Sequence, residues 1–190
     1  MNRESTPLPP QPVYPAELEH AWPVPGGPIL QVRPLRPDDL ERELQFIRGL
    51  SQESLYQRMH YVAREIPSAA AVQLLATDYV NSLALAAVDA TPAGDEFVGV
   101  SRYARIDDTD RAECAVVVAD AWQGRGVGTE LMRSLAYAAR ARGITKLVGQ
   151  SLGENRRIAA WAQQFGCPAT TEPNSGGLLQ VTLDLSDLPA

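Results

Sequence analysis

The feature that most restricts this chain lies between Ala112 and Arg142, where an apolar run leads through Gln123-Gly-Arg-Gly-Val-Gly128 into residues of helical period. Each glycine costs about 1 kcal/mol relative to alanine where the backbone is helical, so Gly124, Gly126 and Gly128 have no packing value at a helix start. Close approach of the backbone to a ligand supplies a reason. At a helix N-terminus, free N–H groups and the positive dipole end form an anion site matched to a pyrophosphate. A flexible strand-to-helix turn is the other reading, but strand and helix flank the loop on the correct sides for the anion site.

The same pattern extends both ways. Downstream, the helix from Gly126 to Arg142 places Val127, Leu131, Leu135 and Ala139 on one face, with Glu130, Arg133 and Arg140 on the other. A strand from Lys146 to Gln150 follows, then a helix from Glu154 to Phe165 stopped by Gly166. A closing strand, Leu178 to Leu185, follows the turn at Pro173–Gly177 and predicts a hairpin. Upstream, Ile29–Arg33 reads as a first strand, and Pro37-Asp38-Asp39 opens a helix whose apolar face is Leu40, Leu44 and Ile47, ended by Gly49. Ser51 caps a second helix through about Met59, and Pro67 opens a third reaching Thr77. Leu83–Val88 and Phe97–Ile106 are strands joined by Thr91–Asp95. Ala112–Ala119 is another, with Val116-Val117-Val118 too apolar to lie on a surface. The fold class expected is α/β, with a sheet of mixed strand direction.

Composition narrows the function. Eight of the fifteen prolines fall in the first 28 residues, predicting an extended leader over 1–28 and an ordered domain over 29–190. Seventeen Lys and Arg against 23 Asp and Glu give a formal charge of −6, which lacks the basic footprint of a nucleic-acid binder and suits a cationic partner. No apolar run approaches the roughly 20 residues of a membrane span, and the N-terminus has no signal-like core, so the cytoplasm is the expected location. Cys114 and Cys167 lack the neighbours of a zinc site, His20 and His60 read as incidental, and no metal is expected.

Two nucleotide fingerprints fail on specific residues. A dinucleotide loop needs its third glycine where Thr129 stands, and an acidic residue where the next strand ends in Gln150. A P-loop needs a lysine that this loop lacks. What fits is Gln-x-x-Gly-x-Gly, from Gln123 to Gly128. With Leu50-Ser-Gln-Glu-Ser-Leu-Tyr-Gln-Arg58, Ala112-Glu-Cys-Ala-Val-Val-Val118 and Glu154-Asn-Arg-Arg157, it resembles the GNAT acetyltransferase family over roughly Ile29 to Leu185. Within that family the likeness is to the catalytic domain of bacterial protein-lysine acetyltransferases.

The resemblance implies a mostly antiparallel central sheet flanked by helices and splayed where acyl-CoA enters. Val116 and Val118 would then offer backbone groups to the pantetheine arm, with Val117 also among the cofactor-binding residues. Gln123, Gly124, Arg125, Gly126, Val127, Gly128 and Thr129 would surround the pyrophosphate. Asn155 matches a position that contacts the cofactor in the family, while capping of its own helix explains it equally well. Glu113 matches the family's catalytic glutamate. Its strand is otherwise apolar, so burial would raise its pKa toward neutrality and suit it to take a proton from an ammonium.

The expected reaction is direct transfer from acetyl-CoA to a primary amine, on a protein lysine or a small molecule, with a homodimer as the expected assembly. Neither nucleic acid nor membrane is an expected partner. The last helix offers Trp161 and Phe165 but no tyrosine, so no general acid is assigned. Cys167 stands where an aromatic is usual, and Cys114 has no histidine near it in sequence to make it a nucleophile. A domain that holds acyl-CoA without turnover is the alternative function.

Overall fold

Runs of apolar and alternating residues, most of them after Ser82, build the sheet, and amphipathic helices cover its two faces. The computed structural model describes residues 12–59, 77–92, 94–152, 169–173, 178–186 and 188–189. Within them are the strands β1 (His20–Pro23), β2 (Ile29–Pro34), β3 (Ser82–Thr91), β4 (Gly94–Arg105), β5 (Arg111–Val118), β6 (Lys146–Leu152), β7 (Ala169–Pro173) and β8 (Leu178–Asp184). The helices are α1 (Leu40–Arg48), α2 (Gln52–Met59) and α3 (Val127–Ala141). The strands stand in the order β1-β2-β3-β4-β5-β6-β8-β7. Every neighbouring pair is antiparallel except β5–β6. This is the expected mixed, mostly antiparallel sheet, including the closing hairpin. The expected helices opening at Pro67 and Glu154, with His60, Asn155 and Cys167, lie outside the described residues.

Of the expected leader, residues 12–28 are described, and they are not detached: they hold a 3-10 turn at Ala16–Leu18 and the strand β1. His20–Pro23 pairs with Ile29–Val32 as an edge strand, so the expected boundary at Ile29 falls inside a hairpin. An edge is where a proline such as Pro23, with no N–H to donate, is tolerated.

Two apolar layers sandwich the sheet. On one face Leu83, Leu85, Tyr103 and Ala112 join Val127, Leu131, Leu135 and Ala139 of α3. On the other, Ala84, Ala86 and Val100 pack with Phe46 of α1 and Leu50, and Leu55 of α2 lies against them. At Gly99 a Cβ would lie 2.9 Å from Leu131 Cδ1 and 3.2 Å from Val127 Cγ1, so a bare backbone lets the start of α3 sit close on β4.

Two carboxylates depart from the helical pattern. Glu43, rather than Leu40, Leu44 or Ile47, is fully buried on α1 beside Phe46, because Arg102 of β4 reaches its Oε1 at 2.5 Å. Glu130, expected on the solvent face of α3, is also buried. His20 of β1 covers it, with Nε2 3.0 Å from Oε1, and Arg133 pairs with its other oxygen.

Asp39 anchors the start of α1. Arg33 donates to it through both terminal nitrogens, at 2.6 and 2.8 Å, and the Arg36 N–H donates at 2.8 Å. Burial alone would push the Asp39 pKa up, but these hydrogen bonds and the charges of Arg33 and Arg42 outweigh it, and the net shift is downward. A depressed carboxylate stabilises the fold above its unfolded pKa of about 3.9 and loses that contribution as pH falls through the folded value. Chemical denaturation between pH 5 and pH 2 should therefore show the wild type losing more stability than Asp39→Asn. Equal slopes would refute the assignment.

Candidate functional site

The loop after β5 is shaped by two left-handed glycines, Gly124 at φ +73° and Gly126 at φ +88°. A non-glycine residue pays a steric penalty in that region, which accounts for both positions. A short 3-10 turn, Asp120–Trp122, turns the chain from β5 into the loop. Gly126 is the N-cap of α3, and no side chain caps it. The first helical bond runs from the Glu130 N–H to the Gly126 carbonyl at 3.0 Å, so the N–H groups of Val127, Gly128 and Thr129 lie ahead of the helical ladder. The geometry expected of an anion site is present: a bare backbone, an uncapped N-terminus and the positive end of a fifteen-residue helix.

Side chains sort around this loop. Arg125 is exposed, its guanidinium 5.2 Å from the centre of the Trp122 ring. Thr129 is half-buried. Val127 is 1% exposed and belongs to the core, so its backbone alone faces the loop's surroundings. At Gly128 a Cβ would approach Val118 Cγ2 at 3.3 Å, so the loop lies directly over the end of β5. Trp22 of β1 reaches the same place, and its ring would meet a Cβ at Gly126 at 3.5 Å.

The sheet opens beside the loop. β5 and β6 pair only at Arg111↔Lys146, Ala112↔Leu147 and Glu113↔Val148. Past that point β6 continues on β8 as far as Leu152↔Leu178, while β5 stays with β4 as far as Val118↔Gly99. From Cys114 onward the two parallel strands have separated, which is the expected splay. Hydrogen-bonding direction alternates along a strand. Because the Ala119 N–H donates to Val98 of β4, the main-chain groups of Val117 turn toward β4 and those of Val116 and Val118 turn into the gap. Val117 therefore does not face the gap with its backbone, and its side chain packs against the α1 face.

Two expectations fail here. The valine run is not buried: Val116 is 37% exposed, because the gap leaves its edge uncovered. Glu113 is exposed too, and the burial expected to tune it is absent. It stands at the last position of β5 paired with β6, at the point of the splay, opposite Ala104 and Val148. Alternation puts it on the α1 and α2 face with Val117, while Cys114 turns toward the α3 core. Among the described residues no cluster of His, Cys, Asp and Glu could hold a metal ion, and no helix is long and apolar enough to cross a membrane.

Sequence reasoning missed the side chains that brace the site. Gln123, expected at the pyrophosphate, instead donates through Nε2 to Ser54 Oγ at 3.0 Å and to the Val118 carbonyl at 3.2 Å. Asp120 accepts from Ser51 and Ser54. The capping role of Ser51 was the visible signal, but nothing local links it to a residue 69 positions away.

Comparisons with known proteins agree on the family. Residues 51–167 match the acetyltransferase (GNAT) family model. An acetyltransferase of Pseudomonas aeruginosa is 34% identical over 148 residues, 78% of this chain and 80% of that protein. The acetyltransferase Pat of Mycolicibacterium smegmatis is 29% identical over 142 residues, 74% of this chain but 41% of that longer protein. The crystal structure of the GNAT domain of S. lividans PAT superposes with a TM-score of 0.81 at 30% identity, covering 90% of this chain and 99% of that one. The fold is shared with yncA of Salmonella typhimurium, solved with its cofactor acetyl-CoA, at a TM-score of 0.64 and 18% identity over 85% of this chain and 96% of that one. With the splayed strands and the glycine loop over their open end, these matches lead to one conclusion: the chain belongs to the GNAT acetyltransferase family.

Proposed function

We propose that this protein transfers an acetyl group from acetyl-CoA directly to a primary amine, with Glu113 as general base. The observation that carries the reading is the gap between β5 and β6, lined by the main chain of Val116 and closed at one end by the uncapped start of α3. A pantetheine arm lying in the gap would pair with Val116 as a missing strand does. Its pyrophosphate would rest on the N–H groups of Val127, Gly128 and Thr129, with Arg125 as the adjacent exposed cation.

Glu113 stands where the gap begins, exposed to an amine arriving from solvent on the α1 and α2 face. It takes a proton from the ammonium, directly or through one water, and the freed nitrogen lone pair attacks the thioester carbonyl. The Val116 N–H turns into the gap and would donate to the developing oxyanion. Collapse of the tetrahedral adduct breaks the carbon–sulfur bond, CoA leaves as a thiolate, and the extra proton on the new amide nitrogen passes to that thiolate through water. The likeness of the sequence motifs to bacterial protein-lysine acetyltransferases favours a lysine side chain as acceptor. The charge of −6 is compatible with any cationic amine.

Calorimetric titration with acetyl-CoA tests the co-substrate, and CoA thiol release over a panel of a lysine peptide, Nα-acetyl-lysine and a polyamine tests transfer. The expected result is a Kd of about 1 μM–1 mM, with thiol release that depends on one of these amines. Absence of binding at millimolar acetyl-CoA would refute the reading. Binding with no release to any amine would leave an acyl-CoA-binding module in place of an enzyme.

A further inference from the structure

With acyl-CoA at the glycine loop, as proposed above, we infer that Asp120 is a positioning residue. It ties that loop to α2, so that acyl-CoA binding and the order of the acceptor-side helix are coupled. Asp120 opens the 3-10 turn between β5 and the loop. Its Oδ2 accepts the Ser51 backbone N–H at 2.9 Å, and its Oδ1 accepts the hydroxyls of Ser51 at 2.7 Å and Ser54 at 2.9 Å. Ser51 Oγ in turn accepts the Ser54 N–H at 3.2 Å, the usual bond of an N-cap. A single carboxylate from a distant strand end therefore holds both the capping serine and the first turn of α2.

The second half of the link runs through Ser54, which is 7% exposed. The Ser54 hydroxyl donates to Asp120 and accepts from Gln123 Nε2, and Gln123 immediately precedes Gly124. Any shift of the glycine loop on ligand binding must move Gln123, and with it the partner of Ser54.

α2 is sensitive to such a change. It spans eight residues, and an isolated helix shorter than about 12–15 residues is marginal in water, so its order depends on what it is tied to. Among the ties of its described residues are the contact of Leu55 with the α1-side core and the Asp120 cluster. Hydrogen bonds from the Ser51 hydroxyl, the Ser51 N–H and Ser54 hold the Asp120 carboxyl below its ordinary pKa against a smaller desolvation effect. The anion therefore persists at neutral pH at the positive end of α2.

Hydrogen exchange of the full chain with and without saturating acetyl-CoA tests the coupling. In the wild type, segments 51–59 and 123–131 should both exchange more slowly with ligand, by about fivefold or more. In Asp120→Ala the loop segment should still slow while 51–59 no longer responds. Ser54→Ala, which keeps the carboxylate and its bonds to Ser51 but removes the hydroxyl that joins Asp120 to Gln123, should weaken the response of 51–59 in the same way. Asp120→Asn should restore part of it by keeping one acceptor oxygen. A wild type in which 123–131 slows and 51–59 does not would overturn the inference and leave the acetyl-CoA reading intact. An unaltered response of 51–59 in Asp120→Ala, or in Ser54→Ala should the first variant not fold, would overturn it equally. If neither segment responds and calorimetry shows no binding, it is the acetyl-CoA reading that fails.

Discussion

Glu113→Gln is expected to lower turnover about 10²–10⁴-fold while leaving acetyl-CoA affinity within about twofold. The amide keeps the size and most of the shape of the carboxylate but cannot accept a proton from an ammonium. Glu113 is exposed and is the last residue of β5 that pairs with β6, so the substitution disturbs neither core. A second readout separates lost proton transfer from lost binding. A lysine-type amine has a pKa of about 10.4, so the deficit should shrink toward pH 10, where about a quarter of the amine arrives already neutral. A rate near that of the wild type at pH 7.5 would remove Glu113 from the mechanism. An equally large deficit at pH 10 would point to acceptor binding as its role.

Gly126→Asp is expected to weaken acetyl-CoA binding by at least about 100-fold, which at 1.4 kcal/mol per decade is about 2.8 kcal/mol. Two causes add. The backbone at φ +88° penalises any side chain by about 1–3 kcal/mol. The new carboxylate would also stand at the positive end of α3, where the pyrophosphate is proposed to sit. Asp and Asn tolerate the left-handed region better than most residues, so the folded chain should survive, and circular dichroism checks this. A Cβ at this position meets the Trp22 ring at 3.5 Å, an ordinary contact, so steric overlap with Trp22 is not the cause. Gly126→Ala carries the strain without the charge and should cost about tenfold. Near-wild-type binding by the Asp variant would place the phosphates elsewhere.

Much of the fold was legible because its information is local. The alternation after Ser82, the apolar period of α3 and the glycines at 124 and 126 each express a backbone preference within one or two turns of chain. Long hydrogen-bonded pairs then followed, since adjacent strands with a short turn between them have few ways to meet. Glu130 was misplaced, and Glu43 escaped notice, for the opposite reason. A helical period assigns a glutamate to solvent unless a partner covers it, and their partners, His20 and Arg102, lie 110 and 59 residues away.

The candidate site divides in the same way. The motif Gln123–Gly128 and its position ahead of a helix, together with Glu113 in the strand before it, were readable from the chain alone, because a loop that approaches a ligand needs glycine at particular φ angles. Tertiary structure alone decided that β5 and β6 part after Glu113 and Val148, that Val116 and Glu113 stay exposed there, and that β1 carries Trp22 to the loop. It also decided that Asp120 holds Ser51, the capping residue of α2, and Ser54 of its first turn. Each of these depends on which distant surfaces are brought together when the two cores form. That outcome is set by packing over the whole sheet, and no local preference of the backbone encodes it.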